Sequence, residues 1–256
     1  IPYGWRALYL VGLLPLFLFP ALRKGITETR RFSEHRAGLL SAVNWREAVS
    51  GAFAPIVALY RLHPRRALAL GLLGGLSAMG TGVSFQFISE FLQTERGWTP
   101  GAFAALSVVF GAFAIVGNPV AGRLGDRYGR RVVAAAVLAL FPLMSIAFYA
   151  GPASLVALPW TLMVFLSMAC SVCVRALATE LFPTAFRGTG AGTLALLETV
   201  GVGVGLLVYS AAVGALGSQA IAIPLVALAC FGAAASVYLV PETARRELED
   251  VSADAA

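Results

Sequence analysis

The sequence predicts an all-α, polytopic membrane protein, and three observations predict it. Charged residues make up 12% of the 256, about half the share usual in a soluble domain. Apolar runs recur along the chain at about the 20-residue length of a membrane span. The basic residues fall on alternate connections between those runs, seventeen on one side against two on the other. That asymmetry is a positive-inside signal; it puts the amino terminus outside and the carboxyl terminus in the cytoplasm. Topology and attraction to anionic lipid account for the net charge of +6, so no nucleic-acid partner is needed. A mean hydropathy of +0.81 agrees.

The first run covers residues 5–19. A polar stretch, 23–66, follows and holds nine basic residues. It reads as a cytoplasmic linker. Residues 45–62 within it are amphipathic enough to lie along a membrane surface, with Pro55 expected to interrupt them. Six further runs follow at 67–92, 101–121, 132–150, 154–178, 189–215 and 221–240. Short turns with Gly, Pro or charge separate them, and Pro241 opens a polar tail. The expected division is one helix of a first bundle at 1–22, a linker at 23–66, a six-helix bundle at 67–240 and a cytoplasmic tail at 241–256. The opening residues lack the basic start and small-residue cleavage site of a signal peptide. The expectation is a sequence that begins partway through a longer protein.

Between the third and fourth runs stands GRLGDRYGRR, residues 122–131, the densest block of charge between apolar runs. Gly122 and Gly129 would permit close helix approach and a tight turn. Asp126 could face a helix N-terminus. The arginines could pair with carboxylates or lipid phosphates. The plainer reading is a solvated loop. Yet Gly122, Asp126, Arg127, Gly129, Arg130 and Arg131 together resemble the G-x-x-x-D-R-x-G-R-R loop motif of the major facilitator superfamily of transporters. Glu180 to Arg187 is similar to that family's E-x6-R element. The tail from Pro241 and Glu242 resembles its PETKGRSLEE tail, with Ala244 and Arg245 departing from it. Residues 27–32 are a degraded form of the element that follows helix six.

The resemblance implies the major facilitator fold: helix six, then a C-terminal six-helix bundle. The branch would be sugar-porter-like or organic-ion-like. It also implies a conformational switch, in which Arg123 and Arg127 meet Glu180 and Arg187 meets Glu242 in one state and part in the other. As ordinary surface pairs these would contribute ~0–1 kcal/mol each. The Gln pair of sugar porters is absent, and Arg175 stands where they carry Trp. A sugar is therefore not the expected solute.

Charges inside spans point to function. Glu198 is the deepest, about 13 Å past Thr189 along a helix. It is a candidate proton site or counter-ion to a cationic solute, or else a structural acid. Trp160, Ser167, Ser171 and Arg175 share one helix face, and Gln86 lies on the second run. The resemblance implies that these two faces wall a central cavity; the plainer reading is packing against another helix. Asn118 could bond Glu198 or the backbone freed near Pro119. Gly201 and Gly205 read as a close-packing face rather than a nucleotide loop.

Cys170, Cys173 and Cys230 all lie in apolar runs and read as packing residues. His35 and His63 are isolated, so neither a metal centre nor a cofactor site is read. No nucleophile and base suggest an enzyme. The expected function is a secondary transporter moving a small organic solute with a proton, by symport. An exporter of the same fold and a non-transporting membrane sensor are the alternatives. One lysine against eighteen arginines fits a GC-rich bacterial gene and hence the bacterial inner membrane. The expected partners are the solute, the proton, an N-terminal bundle of the same protein and anionic lipid.

Overall fold

A computed structural model describes residues 9–13, 15–17, 19–20, 45–182 and 186–242. The chain divides into two compact units, 1–53 and 54–256. Residues 27–32, Pro183 and the tail beyond Glu242 lie outside the described residues, as does part of the first run.

The described elements are helices, with no strand among the described residues. Helix α1 is Trp45–Leu62. Pro55 lies inside it without ending it, contrary to the interruption expected. Its ring costs one N–H bond, and the turns on either side carry on. Then come α2 (Pro64–Gln86), α3 (Ile88–Thr94), α4 (Pro100–Ala114), α5 (Gly117–Tyr128) and α6 (Arg130–Tyr149). They are followed by α7 (Ala157–Glu180), α8 (Arg187–Leu216), α9 (Gln219–Ala227) and α10 (Ala229–Ser236). Six helical stretches are long and apolar enough to cross a membrane: Pro64–Thr94, Pro100–Tyr128, Arg130–Tyr149, Ala157–Glu180, Arg187–Leu216 and Gln219–Leu239. They coincide with the six later apolar runs. The protein is an all-α, multi-pass membrane protein.

Prolines start two of these helices, Pro64 and Pro100; the first turn has no carbonyl for the missing N–H to bond. Pro142 and Pro224 fall inside helices. Such breaks are tolerated in membranes because neighbouring helices take up the freed backbone groups. At the α2–α3 break the Phe87 ring stacks on Tyr209 of α8 at 4.2 Å.

Helix α2 is the centre of the bundle. Lipid-like surroundings give apolar side chains little reason to leave lipid for one another, so close backbone approach carries the packing. Glycines provide it on both faces of α2. On one face a Cβ at Gly201 of α8 would fall on the Gly75 backbone, its C and Cα at 2.8 Å. One at Gly205 would sit 3.0 Å from the Met79 carbonyl oxygen. On the other face a Cβ at Gly80 would lie 3.0 Å from the Ala227 carbonyl oxygen of α9. The packing face expected of Gly201 and Gly205 is thus present, and α2 supplies its partner. The residues α8 buries, Gly190, Thr193, Leu194, Gly201, Gly205 and Tyr209, keep to one stripe.

An aromatic core joins α3, α6 and α7 through Phe91, Phe148, Tyr149 and Trp160. Inside it the Tyr149 hydroxyl donates to the Ser84 carbonyl at 2.6 Å. Ser84 and Ser145 hydroxyls meet at 3.3 Å. At the far end of α6, Arg96 donates to the carbonyls of Tyr149 and Gly151 at 3.0 and 2.7 Å, satisfying acceptors that a helix end leaves open.

Candidate functional site

Two polar constellations stand out in the second unit: one at the arginine-rich end of the helices, one midway along them.

The GRLGDRYGRR segment is not a loop. Helix α5 runs through Gly122, Arg123, Asp126 and Arg127 to Tyr128, and α6 starts at Arg130. Gly129 alone separates them, with φ of +99°. The left-handed backbone there suits glycine, as the expected tight turn required. Among the described residues the close approach expected at Gly122 is not found: a Cβ there would meet none of them within 4 Å. Asp126 lies in the last turn of α5, not at a helix start, and its carboxylate is 3.5 Å from Arg130 Nη2.

Starting α6 at Arg130 exposes new backbone donors. The Arg130 N–H donates to Glu242 Oε1 at 2.9 Å and the Arg131 N–H to Glu242 Oε2 at 3.2 Å. A carboxylate on a helix N-terminus is favoured by both the free N–H groups and the helix dipole. This pins the start of the tail to α6. The Arg131 guanidinium donates to the Tyr238 carbonyl at 3.1 Å and stacks over its ring. Replacing Gly129 by Ala should release this anchor: the added Cβ would sit 2.7 Å from Glu242 Oε2 on a backbone that L-residues adopt at a cost of ~1–2 kcal/mol. The variant is expected to melt earlier and to expose residues after Val240 to protease. An unchanged cleavage pattern would count against the anchor.

Glu180 takes its ion pair from Arg130, not from Arg123 or Arg127. Both of those are exposed, Arg127 lying over the Tyr128 ring. The reason is helical phase: Arg123 and Arg127 leave α5 on its outer side, whereas the α6 start turns Arg130 toward α7. Glu180 and Arg130 side chains are only 16% and 23% exposed. Arg187, expected on Glu242, is half-buried, and its Nε has no hydrogen-bond partner among the described residues. Arg66 braces the same end by donating to the Leu181 carbonyl at 2.9 Å. His63 sits beside Phe182 and Phe186. Burial, and then the Arg66 charge, lower its pKa, which favours the neutral ring.

The second constellation is a cavity of about 400 Å³ between α2, α7 and α8. Ser167, Ser171 and Glu198 line it, as do Ser77, Thr81 and Thr199. Since α8 starts at Arg187, Glu198 lies about 16 Å along it. Arg175 stands at the cavity edge, its Nη2 3.8 Å from Glu198 Oε2 and its Nε donating to Ser171 Oγ at 3.1 Å. The structure thus gathers four of the seven candidate solute residues: Ser167, Ser171, Arg175 and Glu198. It separates the other three. Gln86 is exposed at the end of α2, and Asn118 lies in the first turn of α5. Trp160 packs into the aromatic core against Phe85. Ser77 and Thr81 were not singled out from the sequence, although their i, i+4 spacing on an apolar helix was a readable signal. Cys170, Cys173 and Cys230 are buried free thiols. Among the described residues no group of three His, Cys, Asp or Glu is placed to hold a metal ion.

The model of the Major Facilitator Superfamily matches residues 70–255, which takes in α2 from Leu70 on, every helix from α3 to α10, the charged helix break and the cavity. The chain belongs to the Major Facilitator Superfamily. The comparison with curated proteins finds no match. Membership in this transporter family gives the six spans and the charged helix break a common setting. In this superfamily member the charged end ties α5, α6, α7 and the tail together, and the cavity opens among α2, α7 and α8.

Proposed function

We propose that the protein is a secondary transporter that carries a small polar organic solute together with a proton, by alternating access. The observation that carries this reading is Glu198. It is a carboxylate deep in a span, facing a hydroxyl-lined cavity, and an ionisable group at that depth is costly unless it serves. The cavity would form one wall of the pathway, with an N-terminal bundle of the same protein as the other. Rocking of the two bundles exposes the site to each side in turn. The Asp126–Arg130–Glu180 cluster with Glu242 would act as the latch of one state: it joins four elements, and its contacts would part together in the other. The carboxyl terminus would face the cytoplasm of a bacterial inner membrane, with the arginine-rich end against anionic lipid.

The test uses the intact protein in liposomes loaded with a pH-sensitive dye. Organic acids, cations and polyols are added outside in turn. At least one compound is expected to acidify the lumen, and Glu198→Gln is expected to abolish that proton movement. Solute-driven acidification that is equal in Glu198→Gln and wild type would remove Glu198 from the coupling. If no compound of any class moves protons, symport is refuted.

A further inference from the structure

We propose that the solute is a small organic acid bearing hydroxyl groups, and that its carboxylate binds Arg175 in exchange for Glu198. This rests on the transporter reading above and names its substrate class.

Arg175 is held but not used up. Its Nε donates to Ser171 Oγ, which fixes the guanidinium plane. Its contact with Glu198, at 3.8 Å, is well beyond the ~2.7–2.9 Å of a strong charge-assisted bond. The side chain is 65% exposed, so donors remain for a carboxylate, which the planar fork can grip with two bonds.

The hydroxyls of the wall specify the rest. Ser77 donates to the Gly74 carbonyl at 3.1 Å, Thr81 to the Ser77 carbonyl at 2.8 Å, and Thr199 to the Ala195 carbonyl at 2.9 Å. Their protons are committed within their own helices, and what they turn to the cavity is lone pairs. A solute satisfies them only by bringing donors. Ser167 and Ser171 add two further hydroxyls, and apart from Glu198 the rest of the lining is Ala, Gly, Val and Cys. It offers no aromatic face for an organic cation, and Arg175 would oppose such a cation beside Glu198.

The exchange conserves charge. A proton from water binds a Glu198 carboxylate oxygen, and the neutral acid lets go of Arg175. The solute carboxylate takes its place, so the site holds one ion pair before and after, and no unpaired charge is buried. On release the proton leaves Glu198 and the carboxylate leaves Arg175. One organic anion and one proton cross together, with no net charge moved. Among the described residues, the ionisable groups facing Glu198 are Arg175 and Cys170, both from α7. Helix α2 presents Gly74, Ser77 and Thr81.

The test is calorimetric titration of the intact protein in detergent. The probes are lactate, glycerate and gluconate, with propionate and hexanoate as acids lacking hydroxyls, and choline as the cation. A hydroxy acid is expected to bind, with affinity falling about tenfold per pH unit as the pH rises, because one proton enters with it. Glu198→Gln should bind it with no such pH slope. Arg175→Gln should weaken it about 30-fold or more, with Arg175→Lys partly restoring it. A merely structural role for either residue would shift stability without removing the slope. Choline binding that is lost in Glu198→Gln and kept in Arg175→Gln overturns the acid assignment while leaving the transporter standing. So does equal binding of propionate and lactate, or silence of all six probes when another compound drives protons into the liposomes. Silence in both assays overturns the two readings together.

Discussion

Arg130→Ala is expected to destabilise the bundle by about 2–3 kcal/mol. The side chain has two roles: it forms the ion pair with Glu180 and reaches Asp126. The backbone N–H that helps seat Glu242 is kept in the variant. Truncation leaves the Glu180 carboxylate with little solvent and no cation, and an orphaned buried charge costs far more than an exposed pair contributes. The cost is already visible in the wild type, where Glu180 Oε2 has no hydrogen-bond partner among the described residues. Arg123→Ala is the control: it removes an equal charge from an exposed position and should stay within about 0.5 kcal/mol of wild type. Adding Glu180→Gln to Arg130→Ala should return part of the loss, because a neutral amide tolerates the site better. Thermal unfolding in detergent of wild type, Arg130→Ala, Glu180→Gln and the double variant closes the cycle, with Arg123→Ala beside it. Equal losses from Arg123→Ala and Arg130→Ala would mean the motif acts through charge number and not through this pair.

Gly201→Ala is expected to cost about 1–3 kcal/mol, and Gly203→Ala to stabilise by up to about 1 kcal/mol. The two residues are two apart in one helix and their replacements are chemically identical. What differs is what a methyl group would meet. At Gly201 it falls on the Gly75 backbone, which has no side chain to swing aside. At Gly203 nothing lies within 4 Å, so the added Cβ only restrains the unfolded chain. The measurement is the melting temperature of each variant, and a shift of the same sign in both would contradict the backbone contact. The α2–α8 seam also carries one wall of the cavity, so Gly201→Ala should weaken solute binding as well as lower stability.

The spans were legible because their cause is local. A stretch of about 20 apolar residues either fits a bilayer or does not, and Pro64, Pro100 and Gly129 mark boundaries by what their own backbones permit. The family was legible in the same way, from charges spaced along one short segment. The partner of Glu180 was not legible. Arg123, Arg127 and Arg130 are alike in type and close in sequence, and only the helix running through to Tyr128 decides which of them turns inward. Glu242 escaped for a related reason: its partners are backbone N–H groups that exist only because a new helix starts after Gly129.

The candidate site divides along the same line. Glu198 was readable as a charge at depth, and Ser167, Ser171 and Arg175 as a helix face. Trp160 shares that face by spacing yet packs into the aromatic core with Phe85 and Phe148, since it lies in the first turn of α7 and only the later turns border the cavity. By itself the sequence determined the membrane setting, the order of the spans, the family and the acid at depth, because each depends on composition or spacing within one segment. Only the tertiary structure decided which arginine Glu180 takes, where Glu242 docks, and that Ser77 and Thr81 face Glu198. Those contacts join residues far apart in the chain, and the phase and packing of whole helices set them.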